Sequence, residues 1–470
     1  MSFQSIDYIL FLLAVVPVYW MLGLRVQNVM LLLVSYFFYG YLHPWFLVVI
    51  VTSTLFTYGF GTVIAKAVKP KRKYFLVAGV TGNLLMLAFF KYHEQLLSLW
   101  WAIAPRQETN GVVFNILLPM GLSFFTFQNI GYLIDLHRKR ITSKANLLEF
   151  AIFVAFFPKL IAGPIERANA FLPQTINERR FSPEGVRDGV YLMVLGFFKK
   201  LVIADNTAVI AGKISLAAEP DFYLLWAGLF AMAVQYYADF SGYTDIARGS
   251  ARLFGFKLSQ NFNHPFFAVN PADFWNRWHM TLTLWFRDYL FFPLYAALAK
   301  QTQLVGVQIG GSVLVTFLLM GLWHGTGWNM VAYGVYHGVL MLTYVIVGRA
   351  VQTISPGFQL TNLLRVPMMF FFFMLGLLIF REPEPAVLIQ MLSLSPGGAS
   401  ESEFVVASYL WGQAFYYSLP LWLQPLVEKW RQRMVQGWIV GFDTVVAGVL
   451  FLSILTMRSL HPSDFVYHQF

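Results

Sequence analysis

His324 lies between Trp323 and Gly325, directly after the uncharged run Ser312–Trp323, and His279 closes the stretch Phe274-Trp275-Asn276-Arg277-Trp278-His279. An imidazole changes charge near neutrality and can take a proton from a hydroxyl, which is general-base work. A lone histidine on an apolar helix is more often a structural hydrogen-bonding group. Two features shift the balance here: each of these histidines follows a tryptophan, and Gly325 removes a side chain beside the His324 imidazole. His337, in the next apolar stretch, reads as structural. A metal reading of His279, His324 and His337 stays open, since histidines ligate zinc. Neither an HExxH pattern nor Cys/His spacing supports it, so no metal is expected. The chain has no G-x-S-x-G elbow and no P-loop. It also has no cysteine, which excludes disulfides, Cys-ligated zinc and a cysteinyl thioester intermediate.

Polar groups interrupt the apolar chain in three further places: Pro119–Asp135, Phe157–Arg167 and Tyr237–Asp245. Ionisable residues at membrane depth are costly and raise a functional hypothesis by default. Asp245 and Arg248 form an i,i+3 pair if helical, and Asp273 and Arg277 an i,i+4 pair. For Asp245 two readings stand side by side: an internal ion pair that makes a polar wall tolerable, or a carboxylate serving substrate. Gly163-Pro164 must break or kink a helix, which marks architecture and a possible floor for a substrate cavity.

The elements that position these residues follow from composition. The 470 residues are 58% hydrophobic and 12% charged, against about 25% charged in ordinary soluble domains. Low-charge windows at 8–24, 45–65, 74–90, 189–198 with its extension, 304–322, 366–380 and 437–457 suit a hydrocarbon core about 30 Å thick. A buried helix of a soluble enzyme would explain one or two of them, not seven. Counting shorter and broken segments, the reading is an all-α polytopic membrane protein with about 11–13 embedded helices, a single unit over residues 1–470. The net charge of +10 sits in short loops between spans, so it marks cytoplasmic loops and not a nucleic-acid partner. Residues 8–24 read as a first permanent span with the N-terminus outside. The basic loops at Arg25, at Lys66–Lys73 and at His137–Arg140 then fall on the cytoplasmic face. Residues 147–163 look long enough for one span, yet the charged segment 166–188 and the pair Lys199-Lys200 break the alternation. Helices that do not cross fully repair it, and such helices occur only where protein or a watery cavity satisfies their backbone. Residues 147–345 are therefore expected to surround a cavity, within a catalytic core at about 115–345. Ser393–Glu403 reads as a loop.

These residues carry a resemblance. PMGLSFFTFQNIGYLIDLHR at 119–138, FFPKLIAGPIER at 156–167, YADFSGYTDIARG at 237–249, FWNRWHMTLTLWFRDYLFFPL at 274–294 and GLWHGTGWNMVAYGVYHG at 321–338 resemble the membrane-bound O-acyltransferase (MBOAT) family. The nearest branch acetylates alginate and related exopolysaccharides. The ending DFVYHQF, 464–470, is similar to that branch's aromatic-Gln-Phe ending, with His468 where another aromatic is expected. FWNRWHMTL is equally like the membrane protein that passes D-alanine to teichoic acid. The resemblance implies a ring of transmembrane and re-entrant helices around a central funnel, with His324 the catalytic histidine and His279 its partner.

It also implies a multi-pass protein of the bacterial inner membrane that uses acetyl-CoA, or another acyl thioester at the cytoplasmic face, as co-substrate with no bound cofactor. A periplasmic SGNH-type acetyltransferase is the expected partner for O-acetylation of an alginate- or cellulose-like polysaccharide. For Trp278 and Trp323, walling the tunnel and core packing alone are both open, and Asn276, Arg277 and Asp245 are expected near substrate. For Arg277 and Arg287, contact with donor phosphates and pairing with Asp273 or Asp288 are both open. A carrier-protein thioester donor is the alternative within the family. A lipid-linked sugar transporter without chemistry is the alternative outside it.

Overall fold

A computed structural model describes residues 1, 3–103, 117–141, 145–216, 221–354, 362–398 and 400–466. Among these residues every regular element is helical and there is no strand. Six helices are long and apolar enough to cross a bilayer: Phe46–Lys66, Lys71–His93, Val305–His324, Trp328–Gly348, Leu363–Arg381 and Gly437–Met457. These six are only the described helices long enough to cross; the expected 11–13 embedded helices include re-entrant ones, and many of the remaining helices are short, bent or interrupted. Ile6–Trp20 has 15 residues and is separated from Leu24–Leu42 by a turn at Met21–Gly23. The window at 8–24 is thus a helix and the start of the next one. The lipid-facing character of the Gln436–Met457 helix is direct: Val445, Val449, Phe451, Leu452 and Leu455 are all more than half exposed, which water would not tolerate as one contiguous surface.

The chain divides into two compact units, residues 1–189 with 247–259, and residues 190–246 with 260–470. In the first unit Phe46–Lys66, Lys71–Ile103 and Leu122–His137 pack on one another. Their contact is threaded by polar groups. Asn83 Nδ2 donates to Thr57 Oγ1 (3.1 Å) and Asn129 Nδ2 to Ser53 Oγ (2.9 Å), as interhelical hydrogen bonds do where no water competes. Residues 147–163 are not one span. Leu147–Ala155 starts on an Asn146/Glu149 capping box and stops at Phe156, whose ψ of 107° leaves the helix. Nine residues rise only about 13 Å, less than half the hydrocarbon thickness. Buried Lys159 donates to Gln128 Oε1 and to the Phe153 carbonyl (2.5 Å), satisfying an acceptor orphaned at the helix end. Glu166 accepts from the Ser259 N–H (2.5 Å) and hydroxyl (3.0 Å). Arg179, in the basic segment, donates to Tyr19, Gln27 and Asn28 side chains and to the Gln174 carbonyl. These charges hold the first unit together.

In the second unit the chain passes from the Pro183–Phe198 helix through a π-helical stretch, Lys199–Ala204, into Asp205–Leu216. Val305–His324 and Trp328–Ile354 form a tight antiparallel pair. A Cβ on Gly321 would lie 2.2 Å from the Met330 carbonyl, and one on Gly334 would lie 2.5 Å from that of Phe317. Glycine at both positions lets the backbones touch, the close approach that small residues permit in membranes. The loop expected at Ser393–Glu403 is narrower. The Pro385–Ser393 helix, a turn at Pro396–Gly398 and the Ser400-capped start of Glu401–Arg433 occupy most of it, and residue 399 lies outside the described residues.

Candidate active site

His324 is the last residue of the Val305–His324 helix, where the chain turns into extended backbone at Gly325. The helix end leaves the ring half-buried, packed on Trp323 (centroids 4.5 Å), Phe380 (5.3 Å) and Tyr333 (5.9 Å). A Cβ at Gly325 would meet the Met330 side chain at 3.2 Å, so the glycine leaves room beside the imidazole.

His279 is reached differently. The five-residue helix Pro271–Trp275 and the seven-residue helix Met280–Phe286 meet at a break, and His279 caps the second with φ 40° and ψ 52°. A left-handed backbone at a non-glycine residue costs energy that its surroundings must supply, and such strain gathers at functional sites. Here Met280 N–H donates to the Asn261 carbonyl (2.8 Å) and Thr283 N–H to the His279 carbonyl (3.0 Å). The ring is buried, edge-on to Phe240 at 4.8 Å.

The tautomer of His279 follows from its partner. Asn261 Oδ1 lies 3.3 Å from Thr281 N and 2.9 Å from Thr281 Oγ1. A backbone N–H only donates, so the Asn261 atom facing it is the oxygen. His279 Nδ1, 3.1 Å from the same oxygen, must then carry the hydrogen. In the neutral ring this leaves the lone pair on Nε2.

Both histidines open on one cavity in the second unit, walled by Trp275, Trp278, Tyr333, Phe373, Phe380 and Val466, with Tyr236, Leu282, Met320 and Leu377 completing it. The wall is almost wholly aromatic and aliphatic, and the two imidazoles with Tyr236 and Tyr333 are its polar features. Within a lining so poor in polar groups, an electrostatic contact is screened less than in water.

The other expected residues divide. Trp278 lines the cavity; Trp323 is buried against His324 and is not among the lining residues. Arg277 pairs with Asp273 at 2.8 Å and donates to the Asn263 carbonyl, Arg287 pairs with Asp288 at 3.1 Å, and Asn276 is exposed beyond the end of the short helix. Asp245 accepts from Lys199 at 2.8 Å. None of these four lines the cavity, nor do Gly163 and Pro164. His337 is buried among Trp275, Tyr333 and Tyr336, and among the described residues neither ring nitrogen has a hydrogen-bond partner. Among the described residues no three His, Asp or Glu side chains are grouped as metal ligands. Sequence reasoning missed Tyr236, Tyr333, Phe373, Phe380 and Val466. Tyr333 lies within a quoted motif. The two phenylalanines belong to the Asn362–Arg381 run, where nothing local separates a cavity-facing ring from a lipid-facing one.

The family model described as MBOAT, membrane-bound O-acyltransferase family, matches residues 31–380. The chain belongs to the membrane-bound O-acyltransferase family. It is 36% identical over 381 residues to a “Probable alginate O-acetylase AlgI” of Azotobacter vinelandii, covering 80% of this chain and 74% of that protein. It is 32% identical to a peptidoglycan O-acetyltransferase of Helicobacter pylori (71% and 68% covered) and 29% identical to a teichoic acid D-alanyltransferase of Bacillus subtilis (60% and 74%). As an MBOAT member the chain is a multi-pass membrane enzyme that transfers acyl groups to hydroxyls. Membership decides against the transporter reading.

Proposed function

We propose that the protein passes an acetyl group from a cytoplasmic thioester, acetyl-CoA, across the inner membrane to a hydroxyl acceptor, for O-acetylation of an alginate- or cellulose-like exopolysaccharide. The observation that carries the reading is the shared cavity: His279 and His324, from elements far apart in sequence, face one small aromatic chamber. His324 takes the hydroxyl proton as that oxygen attacks the thioester carbonyl. The new C–O bond forms, the C–S bond breaks, and the proton moves on to the leaving thiolate. Holding both reactants in so narrow a space supplies the proximity contribution. His279, with its lone pair on Nε2, accepts a hydrogen bond from a donor other than the reacting hydroxyl, such as an amide N–H of the thioester's arm, and so orients a bound reactant; the neutral ring has no donor there for an oxyanion. With no cysteine in the chain, transfer runs without a cysteinyl intermediate. The hydroxyl that receives the acetyl group belongs to a periplasmic SGNH-type acetyltransferase, the partner that the family resemblance implies, which passes it to the polysaccharide.

The test is transfer of radiolabelled acetyl from acetyl-CoA in vesicles holding the wild type or His324→Ala. Transfer that disappears in the variant, with expression and folding intact, supports the reading. Equal transfer in both removes the role given to His324. Transfer only from a carrier-protein thioester would move the reading toward the D-alanyl branch, to which the Bacillus subtilis relative belongs.

A further inference from the structure

The segment 459–466 is held in the second unit by charges that face no solvent. Lys200 Nζ lies 2.8 Å from Asp205 Oδ1 and 2.9 Å from Asp239 Oδ1, and it donates to the Ser463 carbonyl (2.8 Å) and Oγ (3.1 Å). The three ionic side chains are at most 3% exposed. One ammonium between two carboxylates leaves a net buried negative charge, which is costly unless further donors complete the group. The segment supplies those donors. Ser463 gives its N–H (3.3 Å) and hydroxyl (2.7 Å) to Asp205 Oδ1, and Val466 N–H reaches Asp239 Oδ2 at 2.7 Å. Ser459 N–H donates to the Leu201 carbonyl (3.1 Å) and Asn206 Nδ2 to that of Met457 (3.0 Å), which carries the attachment back to the end of the last helix.

The seating reaches the candidate site in two ways. Phe465 stacks on Tyr243 (4.5 Å) and lies 5.9 Å from Phe240, the ring that meets His279 edge-on. Val466 is buried and forms part of the wall of the chamber that holds both histidines. Asp239, Phe240 and Tyr243 lie on the same Phe222–Leu253 helix, so one element grips the segment and touches the histidine. A buried ion group adds little stability over apolar packing, but it sets registry. Here the two carboxylates hold the N–H groups of Ser463 and Val466 three residues apart, and the Ser463 hydroxyl is the contact that a neighbouring residue could not supply.

We propose that Lys200, Asp205 and Asp239 form a clamp that seats residues 463–466 as one wall of the acyl-transfer cavity, and that Lys200 and Asp239 are positioning residues for the reaction. The second half rests on the function proposed above. The π-helical stretch fits the role, since such insertions redirect successive side chains and occur at functional sites: Lys199 turns to Asp245 and Lys200 to the clamp.

The test uses the absence of native cysteine. Val466→Cys is introduced into the full chain in vesicles, and its reaction rate with a membrane-permeant maleimide is measured. The background is either otherwise unaltered or carries Lys200→Met with Asp205→Asn and Asp239→Asn, which removes the three charges together and strands none of them. The clamp predicts labelling about tenfold faster or more once the charges are gone, and acetyl transfer down by a similar factor, since a small misplacement suffices for such a loss. Asp239→Glu alone recovers part of both. Ser463→Ala, which removes only a hydroxyl and leaves every charge in place, guards against misfolding of the triple variant; it raises labelling about threefold, the worth of one hydrogen bond. Unchanged labelling in both backgrounds overturns the clamp. Faster labelling with transfer intact overturns the positioning role. Labelling reads the seating whether or not the preparation transfers acetyl, so failure of the proposed function, seen with His324→Ala, stays distinct from failure of the clamp.

Discussion

His279 holds its ring on a strained backbone and takes its hydrogen-bonding direction from Asn261, so the two residues work as one unit. Asn261→Leu removes the acceptor for Nδ1–H and frees the tautomer. Acetyl transfer is expected to fall by about 100-fold or more, because a misassigned imidazole tautomer is among the most damaging changes to such a site. Asn261→Asp keeps an oxygen at that position and should retain most of the activity; equal loss in both variants would show that the tautomer is not what Asn261 controls. His337 presents the opposite case. Its buried nitrogens lack partners, a desolvation cost of about 1–3 kcal/mol. His337→Leu is therefore expected to leave the thermal midpoint unchanged or raised, with transfer within about twofold of wild type. The flanking residues of the sequence set His324 apart from His337, and only His324 of the two lines the cavity. They carried no hint of Asn261, which lies 18 residues before His279 and reaches it only through a chain reversal.

At the level of elements, the pair Val305–His324 and Trp328–Ile354 carries His324 and Tyr333 into the same wall. Their spacing depends on the absence of side chains at Gly321 and Gly334. Gly321→Leu must push the Met330 backbone away, at a cost of about 1–3 kcal/mol for overpacking, and in doing so shift His324 against Tyr333. Transfer should be lost while membrane insertion persists. Gly306→Ala, on the same helix with nothing within 4 Å of the new Cβ, should behave as wild type in both assays. The breaks at Phe156 and His279 show why the middle of the chain resisted reading as spans. Buried side chains such as Lys159 take over backbone acceptors that a continuous helix would satisfy.

For the whole molecule, positive charge was a sound guide only where it faces water. The run Lys69–Lys73 keeps its exposed cations, and the positive-inside rule assigns it to the cytoplasm. A single Lys71→Cys on the cysteine-free chain should therefore react with an impermeant thiol reagent in inverted vesicles and stay protected in intact cells; the reverse pattern would invert the topology and place the donor on the wrong side. Lys199, Lys200 and Arg179 disobey the rule for a physical reason. Lys199 and Lys200 are neutralised by buried carboxylates, and Arg179 is satisfied by side-chain and backbone acceptors, so none of them reports a loop on the cytoplasmic side.

Composition and the length of its apolar windows were enough to determine a multi-pass helical membrane protein, because a hydrocarbon core imposes its thickness on any chain that crosses it. The scarcity of polar residues in such surroundings was enough to single out His279 and His324, and the resemblance of the motifs around them to a known family pointed to acyl transfer. Tertiary structure alone decided which apolar residues wall the chamber. Phe373 and Phe380 look like any lipid-facing residue in sequence, Val466 lies in an ending noticed only for its resemblance, and the role of all three exists only through neighbours far along the chain. It also decided the partners of the buried charges. Lys200 meets Asp239 and Ser463 across separations that no helical periodicity spans, and a desolvated ion is satisfied only by the groups that folding brings within hydrogen-bond distance of it.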